Sequence, residues 1–528
     1  MLKRWRLWWS KEHAGLHAAA FWMAAASIVS RFLGVLRDRL LATNYGAGWE
    51  LDAYYAAFRL PDTIYNLLII GALSAGFIPL YAELKAKQDE KHALAFSSFV
   101  FGWLAISLFV LSASGVVFAP YIVPQIVHGF EPQRMDLTIA LTRILFLSPF
   151  FLGISAVFGG VLQASKRIMA FAFAPVWYNI GILIGIMGFA RWFGIAGVAM
   201  GVVFGAILHA ATQGIVAFGL GIAWPRPLRW MPEISRLLKL TTPRLAALGT
   251  AQISLVISLS FASTLRAGSV SVFQLGNNLQ SFPLGVIGVS FAVAAFPLLS
   301  EAAGLNKFDE YHAALGKTGR TIVFFLLPVS LLFVLLRAQL VRLILGDGRF
   351  DWTATIETAA VVGWFSISLV AQALIPLLAR AFYAIQSTWT PFWITFFGEI
   401  LNIGLAWSLK DRFGVAGLAI AFSVTMFAQL FGLWIGLRRR VGGESQAAFL
   451  RMLILSLAAC VPSLAVGYGF RQLVGTAFPL ETFVQVALQF GFASASMGAV
   501  YLLTMWIFRV EEARSLVGRG WGMIRRVI

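Results

Sequence analysis

Phe193-Gly194-Ile195-Ala196-Gly197-Val198-Ala199 returns 220 positions later as Phe413-Gly414-Val415-Ala416-Gly417-Leu418-Ala419. Short matches of Gly, Ala and Phe are common in apolar sequence, so this pair alone decides little. Nearly the same offset carries His128-Gly129-Phe130 onto Gly348-Arg349-Phe350, and Phe77-Ile78-Pro79 with Glu83 onto Phe296-Pro297 with Glu301. Each match holds the same place relative to an apolar run, so the chain reads as a duplication. Six runs separate equivalent points. An even number gives halves of parallel topology, related by an axis along the membrane normal.

The runs themselves set the class. Of 528 residues, 59% are hydrophobic and 12% charged, far outside the range of soluble domains. Apolar runs of about 20 residues, the length that crosses about 30 Å of hydrocarbon as a helix, recur from end to end. Fourteen are expected, centred near Ala25, Leu67, Leu108, Phe146, Ile182, Gly205, Ser254, Gly285, Leu326, Leu369, Phe397, Val424, Leu457 and Ala495. The expected architecture is an all-α integral membrane protein: two pseudo-symmetric six-helix lobes and a C-terminal helix pair. Residues 1–14 read as a cytoplasmic interfacial segment, 15–225 as the first lobe, 226–441 as the second, 442–510 as the added pair, and 511–528 as a cytoplasmic amphipathic tail. A signal-peptide reading of the N-terminus fails because its apolar run continues into a charged helix.

Lys and Arg number 41 against 23 Asp and Glu, but they form no single patch that would suit nucleic acid. They cluster after every second run: Lys85, Lys87 and Lys91; Lys166 and Arg167; Arg226 to Lys239; Lys307, Lys317 and Arg320; Arg380; Arg438 to Arg451; and Arg509 onward. By the positive-inside rule those ends, and both termini, are cytoplasmic.

The first run carries Ser30-Arg31-Phe32-Leu33-Gly34-Val35-Leu36-Arg37-Asp38, although each charge near the bilayer centre costs about 2.5–3.5 kcal/mol on insertion scales. On a helical wheel Ser27, Arg31, Gly34 and Asp38 share one stripe, with Arg37 beside it. Asp52, Tyr55, Arg59, Asp62 and Asn66 form a matching stripe in the second run, beside Pro61. Arg37 and Arg59 are expected at similar depth, with Arg31 deeper, as a cationic pocket. Guanidinium forks match phosphate bidentately, so an anionic substrate is the simplest inference. The alternative is internal pairing, Arg37 or Arg31 with Asp38, and Arg59 with Asp52 or Asp62. In the second lobe Thr241, Thr242, Arg244 and Gln252, then Gln274, Asn277, Asn278, Gln280 and Ser281 before Pro283, offer hydrogen bonds to a sugar or peptide, or simply join helices. Gly34, Pro61 and Pro283 are the expected gating or structural positions.

Catalysis has no foothold. No Gly-x-x-x-x-Gly-Lys-Thr/Ser phosphate loop occurs, the six His lack metal-ligand spacing, and no outer loop carries a carboxylate pair for glycosyl transfer. Cys460 is the sole cysteine, so no intrachain disulfide forms.

These residues resemble the MurJ (MviN) family of lipid II flippases, in the superfamily that includes MATE exporters and polysaccharide flippases. The resemblance rests on Ser30-Arg31-x-x-Gly34-x-x-Arg37-Asp38, Asp52 through Arg59-Leu60-Pro61, Gly71-Ala72-Leu73-Ser74 through Phe77-Ile78-Pro79, and Pro243-Arg244 with Gln252-Ile253. Gly268-Ser269-Val270-Ser271 through Phe282-Pro283-Leu284-Gly285-Val286, and Phe382-Tyr383-Ala384 with Thr390-Pro391, complete it. It implies a transporter, not an enzyme, that carries an undecaprenyl-diphosphate-linked peptidoglycan precursor to the outer leaflet of the bacterial cytoplasmic membrane. No cofactor is implied beyond a coupling ion or the membrane potential. The implied partners are the lipid-linked anionic precursor, membrane lipids and cell-wall synthesis proteins. Two positions depart from the family pattern: Tyr65 and Asn278 stand where arginines are usual. Rival readings are a flippase for another lipid-linked saccharide, a cation-coupled exporter, a polyprenyl-sugar enzyme and an assembly scaffold. An exporter of cations needs carboxylates in its cleft, and the enzyme needs a large outer loop.

Overall fold

The structure, a computed structural model, describes residues 16–67, 77–87, 89–223, 229–442 and 446–516. It is 89% helical, without strands among the described residues. Contacts divide the chain into two compact units, Met1–Ser271 and Val272–Ile528. The first holds α1 (Leu16–Tyr45), α2 (Trp49–Ile64), α3 (Ile78–Lys87), α4 (Glu90–Ile126), α5 (Pro132–Leu145), α6 (Leu147–Ala164), α7 (Ile168–Ile184), α8 (Ala190–Phe193), α9 (Ile195–Gly219) and α10 (Pro232–Ser263). Then follow α11 (Ser269–Pro283), which begins in the first unit, α12 (Ser290–Gly304), α13 (Phe308–Leu335), α14 (Arg337–Leu345), α15 (Trp352–Ile367), α16 (Leu369–Ala384), α17 (Trp389–Phe413), α18 (Val415–Val441), α19 (Gln446–Ala477) and α20 (Phe483–Ile507).

Among the described residues, ten helical segments are long and apolar enough to cross a membrane, and the pair α15–α16, bent by 45°, makes an eleventh. This is fewer than the fourteen runs read from sequence. Of the other three centres, Ala25 falls on α1 and Ser254 on α10, while Leu67 follows α2 at the edge of the described residues. Among the described residues α2 is 16 residues long, short of a full crossing, and α10 contributes Gln252–Ser263 as a shorter apolar helix.

The duplication is visible in backbone detail. Gly194 and Gly414 each end one helix and begin the next, at φ 56°, ψ −141° and φ 57°, ψ −138°. That conformation excludes a Cβ on steric grounds. Lys166 and Gln386, also 220 apart, share positive φ of 58° and 59°. Phe130 and Phe350 donate backbone hydrogen bonds to the residue three before each, Val127 and Asp347. Helices are interrupted after Leu145 and after Ile367, and the second break bends its helix pair by 45°.

Proline shapes both halves. Pro61 is followed by a π turn at residues 65–67, and Pro283 by the π segment Leu284–Val289. A proline lacks its N–H and clashes with the carbonyl four residues back, which widens the helix locally. Within the first unit α7 and α9 approach through glycines: a Cβ on Gly181 or Gly185 would meet the backbone of Gly205 or Gly201, the small-residue packing expected of membrane helices.

Candidate functional site

Helix α1 runs unbroken from Leu16 to Tyr45, with Ala and Leu favouring helix and no proline to interrupt it. It packs chiefly on α7 and only lightly on α2. Asn179 of α7 donates through Nδ2 to Ser30 Oγ at 3.1 Å, which orients the stripe bearing Arg31, Gly34 and Asp38. Arg31 is half-buried, and among the described residues it has no hydrogen-bond or ion-pair partner. Open space lies beside Gly34. Arg37 donates from Nε to Asp38 Oδ1 at 2.9 Å, and its Nη2 lies 2.8 Å from the same oxygen.

On α2, Tyr54 packs edge-on against Tyr55 and Phe58. Asp62 is accessible yet lies in the electrostatic reach of Arg59 and Arg37. Tyr178 of α7 senses Asp62, Tyr54, Arg37 and Tyr65. Arg37, Asp38, Arg59 and Asp62 thus share one polar cluster within the first unit, ringed by tyrosines. The sequence reading placed Arg37 near Arg59 and missed Tyr54 and Tyr178, because an aromatic residue in an apolar run carries no hydropathy signal of its own.

Asp52 has a different setting. It is fully buried and accepts from Gly268 N–H at 2.7 Å, Ser271 N–H at 2.8 Å and Ser271 Oγ at 2.7 Å. Arg134 Nη1 stands 3.5 Å from it, with its guanidinium 4.6 Å over the Phe130 ring. Gly268, at φ +94°, approaches the Ala47 carbonyl so closely that a Cβ would overlap it. Asp52 therefore ties the start of α2 to the start of α11 and to α5, rather than pairing with Arg59. Arg134, at the head of its apolar run, was detectable by the same test that found Arg31.

In the second unit the amides knit helices together. Gln280, 1% exposed, donates to Asn277 Oδ1 at 3.0 Å and accepts from Gln372 Nε2 at 2.9 Å. Gln372 also donates to Ser368 Oγ, itself 3.0 Å from Ser423 Oγ. Gln274 donates to Asn278 Oδ1 at 2.8 Å. The Arg244 and Thr242 side chains lie outside the described residues. Among the described residues no three His, Cys, Asp or Glu converge as a metal site.

Residues 41–488 match the family model described as lipid II flippase MurJ. The chain belongs to that family. The lipid II flippase MurJ of Burkholderia cenocepacia is 29% identical over 455 residues, covering 84% of this chain and 88% of that protein. Among solved structures, a lipid II flippase MurJ in an inward closed conformation aligns with TM-score 0.77 at 24% identity, over 94% of this chain and 99% of that one. An inward-facing multidrug resistance MATE family transporter of the MOP superfamily aligns with TM-score 0.67 at 16% identity, over 78% and 94%. Both likenesses are of fold. The family match begins at residue 41, just after the arginine stripe of α1.

Proposed function

We propose that the chain is a lipid flippase that moves an undecaprenyl-diphosphate-linked peptidoglycan precursor, lipid II, from the inner to the outer leaflet of a bacterial cytoplasmic membrane by alternating access. The observation that carries this reading is family membership over 41–488, together with guanidiniums on an accessible stripe of a membrane helix. Arg31 offers its donors to a ligand, and Arg37 lies six residues, about 9 Å, further along the same helix, with Asp38 holding its fork in one orientation. A diphosphate takes charge-assisted bonds from both, with Arg59 near the opposite wall of the cluster and Tyr54, Tyr55 and Tyr178 supplying hydroxyls. Asn278 and its neighbours meet uncharged parts of the head group, and the lipid tail stays in the bilayer along α19 and α20.

The two duplicated halves would rock about the bound head group, with Pro61 and Pro283 as points of bending. The substrate drives that change only through its different affinity for the two states. A coupling ion or the membrane potential supplies the energy, no cofactor takes part, and cell-wall synthesis proteins receive the product.

Complementation tests the reading: the resident flippase is depleted in a bacterium, this chain is expressed, and lipid II is assayed at the outer leaflet. Restored exposure of lipid II is expected. Growth rescue without it, or no rescue at normal membrane levels, would overturn the assignment.

A further inference from the structure

One cavity is built entirely from residues of the second unit. It is an open pocket of about 400 Å3 where α13 turns into α14, against α15 and α19. Its walls are largely apolar, with Val334, Ile356, Ile367 and Trp364 among them, but two guanidiniums, Arg337 and Arg471, also line it.

Both arginines are held in place by neutral groups. Arg337 donates from Nη1 to the Val334 carbonyl at 2.9 Å. Its stem crosses α15 at Gly363, where a Cβ would come within 2.9 Å of Arg337 Cδ. Arg471 donates from Nη1 to the Leu335 carbonyl at 3.4 Å and lies 5.8 Å over the Tyr468 ring. Its own carbonyl accepts from Gln489 Nε2 at 2.8 Å, and Gln489 Oε1 accepts from Gln339, which also lines the cavity, at 3.1 Å. Gln489 is only 3% exposed, so this strut is rigid. Among the described residues neither guanidinium has a carboxylate within 4.0 Å.

Each guanidinium has five N–H donors and uses one on a backbone carbonyl. Interfacial arginines often just reach into water, but here a glycine and a buried glutamine position them around a common hollow. The volume falls in the range of ligand pockets, about 300–1,000 Å3. Paired cations beside apolar walls, at the end of a membrane helix, match the polar head and first methylenes of an anionic amphiphile. We propose that this cavity binds the phosphate headgroup of an anionic membrane phospholipid, clasped by Arg337 and Arg471.

The test uses the full chain in lipid–detergent micelles and the fluorescence component lost in Trp364→Phe. Dibrominated phosphatidylglycerol should quench that component at about tenfold lower mole fraction than dibrominated phosphatidylcholine. The double variant Arg337→Gln/Arg471→Gln should lose this preference, Arg337→Lys/Arg471→Lys should keep most of it, and excess inorganic phosphate should leave it unchanged. Where the double variant does not fold, either single Gln variant serves, with roughly threefold loss of preference. Equal quenching by both lipids, or a preference that survives the Gln substitutions, overturns the site. Release by inorganic phosphate assigns the pocket to a soluble anion and overturns the lipid reading.

Discussion

Arg31 and Arg37 lie six positions apart on one helix, yet their surroundings differ, and so should the effects of removing them. Arg31→Ala removes a half-buried charge with no partner among the described residues, which eases insertion and takes donors from the substrate. Membrane levels should stay normal while lipid II translocation falls to background, and Arg31→Lys should recover only part, since an ammonium lacks the planar fork. Arg37→Ala instead removes the 2.8 Å contact to Asp38, at a cost of about 1.5–3 kcal/mol, the range for a hydrogen bond to a charged group. Adding Asp38→Asn should restore the level of the Arg37→Ala protein but not its activity; recovery of activity would make Arg37 a structural pairing residue. Arg59→Gln should weaken binding of a diphosphate lipid strongly and Asn278→Ala little, because Asn278 already accepts from Gln274. A worse defect in Asn278→Ala removes Arg59 from the substrate site. The charged stripe was legible in the sequence because charges are rare in apolar runs. The occupation of Asp52 by Gly268 and Ser271 was not, since a bond between residues more than 200 positions apart leaves no local pattern.

At the scale of elements, the duplication was legible from motif spacing, and its physical basis is the backbone geometry that the repeated glycines permit. Gly194→Ala and Gly414→Ala should each destabilise the protein by about 1–3 kcal/mol. No neighbour lies within 4 Å of either Cβ position, so the penalty comes from φ near +56° and not from crowding. Thermal melting in detergent checks this, and a neutral Gly194→Ala would show that α8 and α9 can join differently. Ion pairs between connecting helices were not legible. Arg236 of α10 grips Glu83 of α3 with both Nη atoms, at 3.2 and 2.9 Å, and Lys87 adds a contact at 2.9 Å. Glu83 lies past the apolar run of the second span. Its hydrogen bonds to Lys87 and then Arg236 hold its carboxyl below the usual range. Because the folded-state value is lowered, this tie is complete above the ordinary carboxylate range and is lost only as pH falls through the lowered value. Hydrogen exchange over residues 232–239, corrected for intrinsic rates, should therefore be the same at pH 7 and pH 5 in the unmodified chain. It should be faster at both in Glu83→Gln, by a margin that shrinks with added salt. Equal exchange in the two proteins would leave the pair without mechanical effect.

For the whole molecule, apolarity finds ten or eleven crossings among the described residues, and the cation clusters supply the rest of the argument. Between Lys91 and Lys166 lie α4 and the pair α5–α6. Between Arg167 and Arg226 lie α7 with its continuation and α9. Between Lys239 and Lys307 lie the later part of α10 and α11 with α12. If α10 stopped short of the far surface, the single crossing of α11–α12 would carry Lys307, Lys317 and Arg320 to the side opposite Arg226, Arg229 and Arg236. A like argument applies to α1 and α2: if only one of them crossed, Lys3, Arg4 and Arg6 would part company with Lys85 and Lys87. Keeping every cluster on one face, as the positive-inside rule asks, requires α10 to span and α1 and α2 to cross together or not at all; we propose that all three span, which would give fourteen crossings with both termini in the cytoplasm. Charges are tolerable in those three if they face a water-filled interior rather than lipid, the setting proposed above for Arg31 and Arg37. Fusing a reporter that is active only in the cytoplasm after Ile528 should give activity, and fusing it between Gly46 and Gly48 should give none. A second insertion between Arg266 and Gly268, beyond α10, should also be silent. Activity there, with the other two results unchanged, would mean that α10 returns to its own side and that the even count is reached by another helix.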